Sequence, residues 1–238
     1  TGIVEGSTYA LYVDTNSALS GGITIAGATA TFVGALGNAG LIQDGVNVNA
    51  GAITGGVYNT GTIGSGSVAG IYLASNASLL SGLTNSGSIG GAVTGIKLAQ
   101  SSLSGGLNNT GIVAGSSFAL NIDAISLLSG GITIAGASAT FVGALGNAGL
   151  IQDGVNVNAG ALAGGVYNTG TIGSGSVAGI YLASNASLLS GLTNSGSIGG
   201  AVTGIKLAQS SLSGGLNNTG IVEGSTYALY VDTNSAMS

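Results

Sequence analysis

The chain has 238 residues, of which 48 are glycine, and it contains no proline, cysteine, histidine or tryptophan. Only 4% of the residues are charged and 45% are hydrophobic, which is too aliphatic a composition for a disordered protein. The net charge of -5 includes only two lysines, so the chain lacks the basic surface that nucleic-acid binding requires. The absence of proline excludes a collagen-like triple helix.

Two long repeats make up most of the chain. Residues 110–218 repeat residues 1–109 with 11 differences, and eight of these fall in the first 18 positions. Residues 219–238 begin a third copy, which resembles the first copy more than the second, so the larger period comprises both repeats and ends at position 218. We therefore expect a single continuous segment of a longer array, built from repeats 1–109, 110–218 and the start of a third at 219–238.

A short mark, Asn followed by a small residue and Gly, divides each repeat further. Successive marks are spaced by 21, 26, 24 and 38 positions. The first three spacings match one coil of a parallel β-helix, and the fourth holds either an insertion or a further short coil around residues 25–37. The marks are Asn38, Asn59, Asn85, Asn109, Asn147, Asn168, Asn194 and Asn218.

Three strand signals follow one another in each coil. They are a Thr-Ile type pair after the mark, an alternating triplet such as Ile71-Tyr72-Leu73, and a Gly-aliphatic triplet such as Gly56-Val57-Tyr58. Short alternation bounded by Gly, Ser and Asn is typical of strands, and the frequent glycine disfavours helix. The sequence predicts an all-β, right-handed parallel β-helix (β-solenoid) with three short strands per coil and about 21–26 residues per coil. Aliphatic residues of successive coils would then stack in inward columns, as in Ile42, Ile63 and Ile89.

The middle residue of the alternating triplet is expected to point outward. Aligned on the marks, these residues form one predicted column, which we call the contact face. It holds four of the eight tyrosines and both lysines, and it is suited to carbohydrate or to a second rod. Large side chains also suit the outer face of any β-sheet, which is the simpler explanation. The contact face comprises Tyr12, Asn47, Tyr72, Lys97, Asn121, Asn156, Tyr181, Lys206 and Tyr230.

A second outward column, three residues after each mark, is more than half aliphatic. Exposed apolar strips are typical of contact surfaces, so we expect this packing strip to lie against a neighbouring solenoid or against the insertion in the 38-residue spacing. Its aliphatic members are Ile3, Leu41, Ile112, Leu150 and Ile221, and Thr62, Ser88, Thr171 and Ser197 occupy the same column.

Few residues are suited to catalysis. Without His or Cys the chain cannot form a Ser-His or Cys-His pair or an ordinary transition-metal site. Asp44 and Asp153 lie one repeat apart, too far for a pair of glycosidase carboxylates, and no Arg is present to hold an acidic sugar. We expect no enzymatic activity, no cofactor and no metal. Uncharged stretches such as residues 22–42 recur along the whole chain, so we expect no membrane insertion of this segment.

Three successive stretches of the sequence carry a family resemblance: Asn59-Thr60-Gly61-Thr62-Ile63-Gly64, Gly70-Ile71-Tyr72-Leu73 and Leu80-Ser81-Gly82-Leu83-Thr84-Asn85. Their pattern resembles the passenger regions of bacterial autotransporters and related large repetitive surface adhesins. The resemblance covers essentially the whole chain. It implies a right-handed parallel β-helix displayed outside the cell, on the bacterial surface.

These observations favour a non-catalytic structural or adhesive repeat region of a secreted cell-surface filament or adhesin. Its expected partners are further copies, end to end or side by side. The alternative is a specific module that binds carbohydrate, host or abiotic surfaces through the contact face. Ice binding is a weaker third hypothesis, because uneven coils and mixed outward residues do not form a regular Thr array.

Overall fold

The protein is described by a computed structural model that covers residues 2–64, 68–173 and 177–238. Within these residues the regular structure consists of strands, and the strands within each sheet pair in parallel. The predicted parallel β-solenoid is therefore confirmed, and it has about nine coils. None of the described residues forms a helix long and apolar enough to cross a membrane.

The strands form two sheets. Sheet 1 contains Ile3–Val13, Thr31–Asn38, Ala52–Ile53, Val57–Asn59, Ser78–Leu79, Leu83–Asn85, Ser102–Leu103, Leu107–Asn109, Leu127–Leu128, Ile132–Ala135, Leu150–Ile151, Val155–Asn158, Thr171–Ile172, Ala178–Ala183, Ser197–Gly200, Thr203–Ala208, Ile221–Gly224 and Tyr227–Val231. Sheet 2 contains Ala18–Leu19, Ile23–Ala26, Leu41–Ile42, Val46–Asn49, Thr62–Ile63, Ala69–Ala74, Ser88–Gly91, Thr94–Ala99, Ile112–Ile122, Thr140–Asn147, Ala161–Leu162, Val166–Asn168, Ser187–Leu188, Leu192–Asn194, Ser211–Leu212, Leu216–Asn218 and Ala236–Met237.

Each coil passes through four ladders of paired residues. In chain order these are ladders 1a and 1b of sheet 1 and ladders 2a and 2b of sheet 2, which begin at Ile3, Tyr9, Ala18 and Ile23. The sequence showed only three of the four segments. The missed segment is the two-residue strand before the Gly-aliphatic triplet, which lies in ladder 1a at Ala52–Ile53 and in ladder 2a at Ala161–Leu162. Such a pair is too short to show alternation.

One passage through a single sheet is half of a coil, and we call it a half-coil. Ladder 1a runs from Ile3 to Ile221 in nine steps, so the 218-residue period is nine whole coils. One 109-residue repeat is therefore nine half-coils, or four and a half coils. Because nine is an odd number, Ile3 lies in ladder 1a whereas its counterpart Ile112 lies in ladder 2a.

The 38-residue spacing is explained by one extra half-coil. Between Asn109 and Asn147 the chain forms Ile112–Ile122 on sheet 2, then Leu127–Leu128 and Ile132–Ala135 on sheet 1, then Thr140–Asn147 on sheet 2. The spacing thus contains three half-coils where the other spacings contain two. The sequence left open an insertion or a further short coil. The structure is closer to the short coil, because the extra half-coil stacks on its neighbours.

Aliphatic side chains from both sheets form one continuous core. Leu36, Ile63, Leu98 and Phe141 are fully buried in it, and the strands alternate between buried and exposed residues. Coils approach closely at some glycines. A Cβ at Gly45, whose φ is +80°, would lie 2.4 Å from the Gly70 carbonyl oxygen of the next coil.

The asparagines of the sequence mark form hydrogen bonds from coil to coil, and all but the last of them are buried. Asn85 Nδ2 donates to Asn109 Oδ1 at 2.7 Å, and Asn85 Oδ1 accepts from Asn59 at the same distance. The extra half-coil splits the eight marks into two ladders of four: Asn38 to Asn109 on sheet 1 and Asn147 to Asn218 on sheet 2. Each ladder begins next to an aliphatic residue, which leaves Asn38 Oδ1 and Asn147 Oδ1 without a partner among the described residues.

Candidate functional site

The predicted contact-face residues occupy the middle positions of their strands, where side chains point away from the core. Tyr12 is 52% exposed, and Tyr72 is partly exposed. The residues on either side of Tyr72, Ile71 and Leu73, are buried. The outward orientation therefore follows from the strand period of two.

The contact face is not one column but two, on different sheets. The predicted single column assumed whole coils between successive marks, and the extra half-coil breaks that assumption. Ladder 2b presents Thr24, Asn47, Tyr72, Lys97, Asn121, Gly146, Tyr167, Thr193 and Asn217. Ladder 1b presents Tyr12, Gly37, Tyr58, Thr84, Asn108, Thr133, Asn156, Tyr181, Lys206 and Tyr230.

The structure thus brings the predicted residues together as two clusters. The sheet 2 cluster is Asn47, Tyr72, Lys97 and Asn121, and the sheet 1 cluster is Asn156, Tyr181, Lys206 and Tyr230. Tyr12 lies outside both clusters, since it is six coils from Asn156 along ladder 1b.

Both lysines lie over tyrosine rings of the neighbouring coil. Lys97 Nζ is 5.5 Å from the ring centroid of Tyr72, and Lys206 Nζ is 5.0 Å from that of Tyr181 and 6.0 Å from that of Tyr230. The ammonium group is attracted to the electron-rich face of the ring, so each lysine is held along the ladder direction. Each cluster is therefore a row of aromatic, amide and cationic groups parallel to the axis of stacking.

A cavity of about 290 Å³ adjoins the sheet 2 cluster. Its polar wall is formed by Thr24, Asp44, Asn47 and Tyr72, which come from three successive coils. Asp44 lies in the turn that joins ladders 2a and 2b. Asn47, in the same coil, lies in the strand that follows this turn. The cavity thus combines an aromatic ring, a carboxylate, an amide and a hydroxyl.

The sequence missed several members of these surfaces. Tyr58 and Tyr167 are 42% and 47% exposed and lie on ladders 1b and 2b, although the sequence placed them in a different strand from Tyr72. Thr24 and Asp44 were missed for the same reason. Only the coil-to-coil register shows which strand lies beside which, although the end of the triplet Gly56-Val57-Tyr58 was a usable signal for an exposed ring.

The packing strip is also divided between two ladders. Leu41 and Ile112 lie on ladder 2a, whereas Ile3, Leu150 and Ile221 lie on ladder 1a. All five are between 37% and 67% exposed, so the extra half-coil does not cover them and that part of the prediction is wrong. Packing against a neighbouring solenoid stays a prediction.

One carboxylate outside the clusters stabilises a corner between coils. The Ser235 hydroxyl, which donates to Asp232 Oδ1 at 2.6 Å, holds the pKa of Asp232 below its ordinary value of 3.8. The backbone N–H groups of Gln209 and Asn234 donate to the same carboxylate and lower its pKa further. Asp123 makes matching contacts one repeat earlier, with Ser126 and Gln100.

Searches against protein-family models, curated proteins and solved structures gave no match for this chain. Among the residues that the structure describes, no three His, Cys, Asp or Glu side chains are grouped as metal ligands would be.

Proposed function

We propose that the chain is a rod-forming structural region of a secreted bacterial cell-surface filament or adhesin, without catalytic activity. One observation carries this proposal: the 218-residue period equals nine whole coils, so that Ile3 and Ile221 lie in the same ladder. A further period would continue the same stack in the same orientation. Each period adds about 43 Å of length, since neighbouring strands lie about 4.8 Å apart. Such a chain is suited to setting a distance by its number of repeats.

The composition and the resemblance support a location outside the cell. The chain has no cysteine, and its quoted motifs resemble the passenger regions of autotransporters and repetitive surface adhesins. The coils stack edge to edge through backbone hydrogen bonds, so self-association end to end would use the same bonds. Side-by-side association would use the packing strip.

The rod proposal is tested by length. Chains with one, two and three 218-residue periods are expected to form rods that lengthen by about 43 Å per period in small-angle X-ray scattering and electron microscopy. Particles whose longest dimension does not grow with the number of periods would contradict it. Labelling of the intact cell surface with an antibody to the chain tests the location separately.

A second candidate function is carbohydrate binding, and the cavity beside Tyr72 favours it. Sugar-binding sites combine an aromatic ring, which stacks on the ring C–H groups, with amides and carboxylates that bond the hydroxyls. Tyr72, Asn47 and Asp44 supply these groups around one cavity. Replacement of both Tyr72 and Tyr181 by Ala should abolish attachment to glycan-coated surfaces while the rods stay intact.

A further inference from the structure

The four residues that form the polar wall of the cavity at Tyr72 have counterparts on the other sheet. The equivalents of Thr24, Asp44, Asn47 and Tyr72 in the second repeat are Thr133, Asp153, Asn156 and Tyr181, with every residue type retained. Thr133, Asn156 and Tyr181 are neighbours in ladder 1b, just as Thr24, Asn47 and Tyr72 are neighbours in ladder 2b. The same set of side chains therefore occurs on both sheets.

The carboxylate of the second set is held by the backbone. Asp153 Oδ2 accepts a hydrogen bond of 2.9 Å from the Gly130 N–H of the preceding coil, which holds the carboxylate beside the ladder. In the first set the cavity is bordered by Gly21, the counterpart of Gly130, and by Asp44. Both carboxylates thus lie at the turn that leads into the strand of the middle asparagine.

The odd number of half-coils places the two sets of residues, around Tyr72 and around Tyr181, on different sheets. They are separated by four and a half coils, which is about 22 Å along the axis of stacking. The half coil places one set on sheet 2 and the other on sheet 1, on the two sides of a shared core. One ligand chain that runs straight along the rod meets only one of them.

The side chains of each set define the chemistry of the ligand. Each set has one carboxylate and lies next to one lysine, Lys97 or Lys206, so it carries no excess charge. The remaining groups are an aromatic ring, an amide and a hydroxyl, which both donate and accept hydrogen bonds. This combination fits a neutral, hydroxyl-rich ligand better than an acidic polymer.

The geometry of the ladder indicates the shape of the ligand. The side chains succeed one another about every 4.8 Å along a straight line. An extended β-1,4-linked glycan has a similar rise per sugar. The cavity beside Tyr72, at about 290 Å³, has a volume sufficient for a single sugar ring.

We propose that each 218-residue period carries two binding sites for an extended, neutral, β-linked polysaccharide, at Tyr72 on sheet 2 and at Tyr181 on sheet 1. One rod then bridges two glycan strands. This inference rests on the carbohydrate-binding candidate and adds to it the number of sites, their members and the class of glycan.

The test is the stoichiometry of binding by the full chain. Isothermal titration calorimetry with cellohexaose, and in parallel with laminarihexaose, is expected to give two sites per chain for at least one of the two probes. Tyr72→Ala and Tyr181→Ala should each leave one site, and the double variant should bind at least about tenfold more weakly, a loss of about 1.4 kcal/mol or more. Tyr72→Phe keeps the ring and should keep two sites.

The matched control is the double variant Tyr58→Ala and Tyr167→Ala. These tyrosines are also outward, exposed and equivalent in the two repeats, but they lie outside both sets and should leave both sites unchanged. Circular dichroism and thermal unfolding confirm that each variant is folded. Binding of neither probe would overturn the carbohydrate candidate as a whole. A single site, or two sites that both survive in the Tyr72→Ala variant, would overturn the two-sided arrangement and leave the candidate standing.

Agglutination provides a second readout. The native chain should cross-link beads coated with the bound glucan, and either single variant should bind the beads without cross-linking them. Cross-linking by a single variant that is monomeric in solution would contradict the proposal.

Discussion

The two 109-residue repeats have almost the same sequence and yet face in different directions. Tyr72 of the first repeat lies on sheet 2, and Tyr181, its counterpart in the second, lies on sheet 1. The difference arises from the number of half-coils per repeat, which is odd, and not from the 11 substitutions between the repeats. In a solenoid, therefore, sequence identity determines which residues stack, whereas the count of half-coils determines on which side they stack.

The extra half-coil also changes the core. Where a coil has a mark asparagine on one sheet, the equivalent position on the other sheet holds an aliphatic residue. Asn85 and Leu98 are one such pair. After Asn109 the asparagine ladder stops at Ile134, and a new ladder begins on sheet 2 at Asn147. The two sheets thus exchange polar and apolar columns once per repeat.

The largest expected effect comes from deletion of the extra half-coil, residues 127–139. Thr140 would then follow Ser126 on sheet 1, and Asn147 would stack on Asn109 in one continuous asparagine ladder. Tyr12 would stay on ladder 1b, and the other contact-face residues would form the single column that the sequence predicted. Because the chain has no cysteine, spin labels can be attached at Asn47→Cys and Asn156→Cys alone. We expect the distance between the labels to fall to about 19 Å, the height of four coils on one side.

The control for this deletion is the removal of one whole coil, residues 78–101. That change shortens the stack but leaves the two labelled positions on different sheets, so the distance should still include the width of the solenoid. A deletion of residues 127–139 that keeps the labels on different sheets would contradict the half-coil explanation.

The second effect concerns the interior of an asparagine ladder. Asn85 Nδ2 donates to Gly87, Asn109 and Ile112, and its Oδ1 accepts from Asn59. Asn85→Ala leaves these buried groups without a partner, so we expect the free energy of unfolding to fall by about 2–4 kcal/mol in urea titrations.

Two variants control for the asparagine prediction. Asn109 ends its ladder, and within the described part of the chain its Nδ2 donates to Gly111 alone, so Asn109→Ala should cost less than Asn85→Ala. Thr84→Ala, at the outward position beside Asn85, should change the free energy by less than about 0.5 kcal/mol. Equal losses for the two asparagines would show that the ladder bonds are not responsible.

The smallest effect is the pH dependence at Asp232. Its pKa is lower in the folded chain than in the unfolded chain, so its contribution to stability is present at neutral pH. The contribution is lost as the pH falls below 3.8 and through the lowered pKa. Asp232→Asn should therefore lower the unfolding temperature slightly at pH 7, and the difference from the native chain should vanish at low pH. A difference that persists unchanged at low pH would contradict this origin.

Much of the fold was predictable because the repeats are so regular. Alternation around Tyr72 predicted its outward orientation, and the aliphatic residue after each mark, such as Ile63, predicted a buried column. The two-residue strands that precede the Gly-aliphatic triplets were not predictable, because a pair such as Ser78-Leu79 has no period. The cavity at Tyr72 was not predictable either, since Thr24 and Asp44 come from two other coils.

The parallel solenoid, the coil length and the inward or outward orientation of the strand residues around Tyr72 all follow from the sequence read in order. They depend on local periodicity and on the spacing of the marks, and both are properties of short stretches of chain. The sheet that each residue occupies follows instead from the pairing of coils in three dimensions. It depends on the number of half-coils that precede the residue, so one extra half-coil moves every later position to the other sheet while the sequence of the repeat stays the same.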